Sequence, residues 1–407
     1  MFRHNRKNFY ILLVDVIAFY VFFTLWDVNT VIPVFLDKLG SPSWTIGLAN
    51  SIKQLGFIIP QLVLLPHIYK IGSLVRFIRK VLFVNRPQLV AFLILLLLLK
   101  PGKPMVIAFI ISFAVLNFGE GLTLLPWMDL LGRTVQPNTR GRFYGAVQVL
   151  SGLAALGSGY VISKYIENTG YPFPVNFVLI FGLGSVIILP SLYLFKIAED
   201  PVLPEISFRP NWRISAVNCF KNKEFILMLV VQILISADAL ALPFYIIMVR
   251  HRFAWLASST GTYVFLSIIG GVLGGILWGY LSDKKGNRTA IIFIALFNVL
   301  TSGSFLITQF IQSKAVLAAI LAPGFILAGM VAGGWLGFVN YMLDLAGDDE
   351  RPFYITVDNA ILLPIALLPI LGGIIRDFGG DLTLYVITTT SMIIGFILSF
   401  RLKEPRQ

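Results

Sequence analysis

The sequence predicts an all-α fold: a polytopic membrane protein with twelve transmembrane helices in two pseudo-symmetric six-helix bundles. Three observations carry that expectation. Of the 407 residues, 57% are hydrophobic and 13% charged, whereas a soluble domain carries about 25% charged residues to cover its surface. The apolar residues gather in twelve runs, each near the roughly 20 residues that cross a bilayer as helix. The longest interruption falls midway, where KIAEDPVLPEISFRPNWRISAVNCFKNKE holds three prolines and alternating charges. It reads as a cytoplasmic linker, residues 198–222, between an N-terminal bundle, 1–197, and a C-terminal bundle, 223–407.

The runs begin near Phe9, Trp44, Ile78, Met105, Phe143 and Phe173, then near Phe225, Trp255, Thr289, Ala315, Phe353 and Leu382. The first follows Arg3, Arg6 and Lys7 as a signal peptide would, yet it contains Asp15 and Asp27, which a signal's apolar region does not carry. It is therefore expected to be a retained helix. With the N-terminus inside, 22 Lys and Arg lie on the cytoplasmic side and 8 on the external side, leaving Lys53 and Arg86 within spans. The positive-inside rule then places both termini in the cytoplasm, at a cell membrane. The same distribution explains the net charge of +12 by topology and the lipid surface, with no nucleic acid needed.

The halves echo each other. WMDLLGRTVQPNTRGRFYGAVQ, from Trp127, and YMLDLAGDDERPFYITVD, from Tyr341, share an aromatic, Met, Asp and Leu before a loop ending in Arg-x-Phe-Tyr. A duplicated six-helix unit accounts for this order. Glycines recur every fourth residue at Gly271, Gly275 and Gly279 and again at Gly329, Gly333 and Gly337, which predicts smooth faces for close helix contact.

Metal and enzyme chemistry are disfavoured. Cys219 is the lone cysteine, and His4, His67 and His251 offer no ligand spacing. No phosphate-binding loop of the GxxxxGK[ST] type occurs, so neither nucleotide nor other cofactor is expected. A nucleophile, or catalytic acids paired at one depth, is also missing.

Charges inside the bilayer are costly, so each marks a candidate site. Asp27 and Lys53 lie nine residues from the external ends of the first and second runs, both about 13 Å below the outer face at helical rise. They are natural partners, either in the cavity or as a pin between helices. Arg86 and Glu120 share a depth from the cytoplasmic side and form a second expected intramembrane pair. Asp15 reads as a bundle contact near the cytoplasm. Asp238, about 20 Å up the seventh run, has no basic residue at its level and is the leading proton carrier, followed by Asp27 and Glu120. Trp26, Asn29, Gln54, Gln232, Tyr245, Trp335 and Asn340 complete the expected cavity lining.

GYLSDKKGNR, Gly279 to Arg288, fits G-x3-D-[RK]-x-G-x-[RK]. With twelve runs in two repeats, the chain resembles the major facilitator superfamily. The Arg140-Gly-Arg142 loop and the ending LKEPRQ are similar to those of bacterial members. The first-half copy of the motif, LPHIYKIGSL, is degenerate: it keeps Lys70 and Gly72 but has Tyr69 and Leu74 where an acid and a base should stand. The resemblance implies alternating access and sets Asp283 against the helix that follows Arg140 and Arg142. There Asp283, Lys284, Gly286 and Arg288 would form a cytoplasmic gate. The reading is a secondary active transporter, monomeric and proton-coupled, for a small amphipathic molecule. A lipid flippase of the same fold and a transport-inactive receptor are the alternatives.

Overall fold

The computed structural model describes residues 2–64, 67, 71–135, 140–167, 170–200, 220–253, 260–346 and 351–405. They are helical, with no strand among them. Among the described residues each of the twelve predicted runs contains helix, although nine helices, not twelve, meet the length and apolarity of a span. The difference has identifiable causes. Ser43–Leu64 is a long helix diluted by polar residues, the apolar stretch described within Arg140–Glu167 is Val149–Ile162, and Val357–Ser399, 43 residues, holds two predicted runs. Those two are interrupted at Gly380, whose φ of 73° suits a residue without a side chain.

The chain clusters into two compact units. The first comprises Met1–Ser41, Ala49–Ser207 and Trp255–Gly261; the second comprises Pro42–Leu48, Phe208–Ala254 and Thr262–Gln407.

In the first unit, α1 (Phe2–Leu25) packs on α7 (Arg140–Glu167) and α8 (Val175–Ile188). The third predicted run divides at Arg86 into α4 (Leu74–Asn85) and α5 (Pro87–Leu98), because Pro87 starts a helix well but offers no N–H to continue one. Both pieces lean on α6 (Lys103–Thr134). Between these helices and α2 (Val31–Lys38) lies an aromatic core of Trp26, Phe22, Phe35, Phe92, Phe113 and Phe181, each 0–1% exposed. The first run breaks after Leu25 because Asp27 Oδ1 accepts the backbone N–H of Asn29 (3.1 Å) and the Thr30 hydroxyl (2.6 Å). Short polar side chains thus outcompete the helix for its own backbone.

In the second unit the seventh run also breaks, into Lys223–Ile235, Asp238–Ala241, a 3-10 turn Leu242–Phe244 and Tyr245–Arg252. Close approach of Thr260–Lys285 and Lys314–Val331 depends on glycine, at an expected position in the second of these helices and one position off the expected repeat in the first. A Cβ on Gly329 would lie 1.8 Å from the Ser267 carbonyl oxygen, and one on Gly270 2.0 Å from that of Ile326, whereas Gly275 and Gly279 have nothing within 4 Å. The contact line thus keeps Gly329 of the predicted stripe but passes through Gly270 and Gly274, one position before Gly271 and Gly275. Gly329→Leu is therefore expected to destabilise the protein by at least about 2 kcal/mol. Gly275→Ala should be neutral or stabilising, since it only removes backbone freedom. Thermal unfolding of the two purified variants checks the contrast.

Candidate functional site

Three polar groupings stand in otherwise apolar surroundings, and each lies within one unit.

The first lies around Glu120 on α6. Its flanking residues in Gly119-Glu120-Gly121 carry no side chain, so neighbours approach closely: a Cβ on Gly119 would strike the Asn85 amide, and one on Gly121 the Gly56 carbonyl. Arg86 Nη1 bonds Glu120 Oε1, and their side chains are 3% and 5% exposed. Asn85 Nδ2 also donates to Glu120 (3.0 Å), and Arg86 Nε donates to the Ser191 hydroxyl (3.0 Å). This is the ion pair expected from equal depth. Beside it stands Asp15, whose carboxylate accepts Trp127 Nε1–H at 2.9 Å. Asp15, Arg86, Glu120 and Trp127 together line a cavity of about 150 Å³.

The second is a polar string at the break of the first run. Gln54 donates to Asn50 (3.0 Å), and Asn50 donates to Asn29 (2.6 Å), next to Asp27. Lys53 stays within electrostatic reach of Asp27, but the two form no ion pair; its ammonium sits 5.1 Å from the Phe23 ring centre. Depth counting along straight helices brought the two together correctly. It failed on contact because Asp27 is spent on capping the break.

The third is Asp238 in the second unit, at the helix break. Its carboxylate accepts the Tyr245 hydroxyl at 3.2 Å, and no cation pairs with it among the described residues. Six positions earlier in the chain, Gln232 is 8% exposed and within electrostatic reach of Asp358, itself 6% exposed.

Several expected cavity residues are elsewhere. Trp26 is fully buried, stacked on Phe22 at 5.3 Å and donating Nε1–H to the Phe181 carbonyl (3.1 Å). Its ring area serves the core of the first unit. Tyr245 is 1% exposed and stacks on Phe305 at 3.8 Å, so only its hydroxyl reaches the site, through Asp238. Trp335, 61% exposed, stands outside the hydrophobic core of its unit. Asn340 donates to the Ser282 hydroxyl (3.3 Å) and belongs to the glycine-motif loop.

That loop is built from within its own unit. Gly286 has a φ of 88° and starts the helix Asn287–Ile307, whose Arg288 N–H is capped by Glu404 Oε2 at 3.1 Å. A carboxylate there meets the positive end of the helix. Asn287 bonds the Ser282 hydroxyl and donates to Asp344 (2.5 Å), and the Arg288 guanidinium donates to the Phe400 carbonyl (3.0 Å). Asp283, Lys284 and Lys285 are exposed. The lock expected between Asp283 and Arg140 or Arg142 lies outside the described residues, because neither arginine side chain is among them. Asp15, Asn50, Asp344 and Glu404 were not singled out for these roles by the sequence. For Asp15 a signal existed, since it lies at a depth comparable with Arg86 and Glu120.

Comparison with known proteins follows this geometry. A single-residue mutant of the nucleoside transporter NupG superposes with a TM-score of 0.75 at 12% identity, over 97% of this chain and 98% of that one. A bacterial homologue of the iron transporter ferroportin, in an inward-facing state, gives 0.63 at 13% identity over 98% of each chain. The E. coli fucose:proton symporter FucP, also a mutant, gives 0.56 at 14% identity, over 98% of this chain and 100% of that one. These likenesses establish a shared fold. No curated protein sequence matches the chain. The family profile described as Major Facilitator Superfamily matches residues 89–362, about two thirds of the sequence; the chain belongs to that superfamily and is a multi-pass membrane transporter of small molecules, not an enzyme.

Proposed function

We propose that the protein is a proton-coupled secondary active transporter, working as a monomer by alternating access on a small amphipathic molecule. Asp238 carries the coupling part of this reading. It is a carboxyl at a broken helix inside the membrane, hydrogen-bonded to one tyrosine and facing no cation among the described residues, so its charge has to be met by something that comes and goes. A proton is the smallest such species. Broken helices also supply free backbone groups and hinge points where transporters bind and move. One relative of the same fold is named a fucose:proton symporter, which lends the coupling mode support.

In this proposal the string Asp27, Asn29, Asn50, Lys53 and Gln54, together with Gln232, gives the polar contacts for substrate. The division into bundles 1–197 and 223–407 provides the two moving bodies, and the Lys and Arg distribution puts both termini in the cytoplasm. Asp283 with Arg140 or Arg142 serves as the cytoplasmic gate.

The experiment is flux into proteoliposomes, with and without an imposed pH gradient, over a panel of labelled amines, nucleosides, sugars and carboxylates. Accumulation of one class only with the gradient supports the proposal. Equal flux after the gradient is collapsed rejects proton coupling. Scrambling of a labelled phospholipid with no small-molecule flux reassigns the protein as a flippase.

A further inference from the structure

The cavity in the first unit is lined by none of the residues of the polar string. Its walls are almost wholly apolar, and six are aromatic: Phe19, Tyr20, Phe57, Trp127, Phe143 and Phe195. Three charged side chains line it, Asp15, Arg86 and Glu120. Arg86 and Glu120 neutralise each other, and at 3% and 5% exposure neither has surface left for a ligand. Asp15 is different. It is half-buried, its one hydrogen bond is the 2.9 Å contact from the Trp127 indole to Oδ2, and Oδ1 has no partner among the described residues. Among the described residues the lining thus carries a formal charge of −1, its one cation, Arg86, being paired with Glu120. The indole of Trp127 both fixes the carboxylate and presents a ring face beside it.

A carboxylate ringed by aromatic faces suits an organic ammonium, which gains from the charge and from the electron-rich rings. The same count disfavours an anion, because Arg86, the one guanidinium among the described lining residues, is paired with Glu120. Volume sets the size: a cavity of about 150 Å³ holds one benzene-sized ring. Tyr20 and Met128 line it and are 51% and 50% exposed, so the cavity reaches the surface and a ligand has a way in.

The geometry points to a binding site in the N-terminal unit for a small organic monocation, its ammonium on Asp15 Oδ1 and its apolar body among Phe19, Phe57 and Trp127. Nothing in this assignment requires proton coupling, so it is tested without a gradient. Purified protein in nanodiscs is titrated with benzylammonium, followed by calorimetry and by tryptophan fluorescence, with benzyl alcohol and benzoate as neutral and anionic isosteres. Benzylammonium is expected to bind at least about tenfold more tightly than either isostere. Asp15→Asn should remove that preference, and Asp15→Glu should retain most of it. Val16→Phe, which fills the cavity and leaves every charge in place, should abolish binding. Should Asp15→Asn fail to fold, Val16→Phe still decides. Equal binding of benzyl alcohol, no binding of benzylammonium to the wild type, or unchanged binding to Val16→Phe overturns the site. Proton-driven flux of another substrate that persists alongside such a result leaves the transporter reading intact, so the two failures are distinguishable.

Discussion

Proteoliposomes carrying Asp238→Asn are expected to lose pH-gradient-driven accumulation altogether while still exchanging labelled for unlabelled substrate. The distinction follows from what the substitution removes. Asparagine keeps the size of the side chain and can still accept the Tyr245 hydroxyl, 3.2 Å away in the native protein. It cannot take up or release a proton. A carrier that no longer has to be recharged between half-cycles can swap substrate across the membrane, but it has no means of drawing on the gradient. Accumulation should fall to the level measured with no gradient at all. Tyr245→Phe, which removes the one hydrogen bond and keeps the stack on Phe305, should slow accumulation without ending it. Gradient-driven accumulation at the wild-type level in Asp238→Asn would remove this carboxyl from the coupling mechanism.

The largest expected effect on stability is at the buried pair. Glu120→Gln or Arg86→Met leaves a charge in the membrane interior facing a neutral partner, and breaking a buried pair in this way costs about 3 to 5 kcal/mol. Replacing both, as Arg86→Met with Glu120→Leu, removes the uncompensated charge and should recover most of that loss. The thermal midpoints of the two singles and the double, measured in one detergent, form the cycle. If the double is as unstable as the singles, the interaction energy is not in the charges and the account of the pair is wrong. Transport by the double then separates two roles: a folded double that moves substrate at the wild-type rate makes the pair a structural pin.

Much of the fold was legible because the bilayer permits so few solutions. Length and apolarity locate spans. Depth counting worked for Arg86 and Glu120, which lie on helices that remain regular up to the charge. It failed for Asp27 and Lys53 because the first run breaks at Asp27 itself. The signal for that break was present in Asp27-Val28-Asn29-Thr30, whose short polar side chains compete for backbone hydrogen bonds, but within a hydrophobic run it was read as continuous helix. Trp26 shows another limit. A tryptophan beside an intramembrane acid reads as a cavity wall, yet rotation about the helix axis decides its neighbours, and hydrophobicity alone does not fix that rotation when every face of the run is apolar. The first glycine stripe missed for the same reason, by one position, while Gly329 of the second lies at the contact. Glu404 was out of reach for a different one: it caps a helix 116 positions earlier in the chain, and no local pattern announces so distant a partner.

That cap also bears on the order of biosynthesis. The turn at Gly286 is translated long before the acid that completes it, and the helix Leu368–Ser399 must be made in between. While the nascent chain is still being inserted, the N–H of Arg288 has only water or lipid headgroups to satisfy it, so the second unit completes this turn last. A ribosome-stalled chain ending before Glu404 should therefore present this turn to protease, and one ending after it should not.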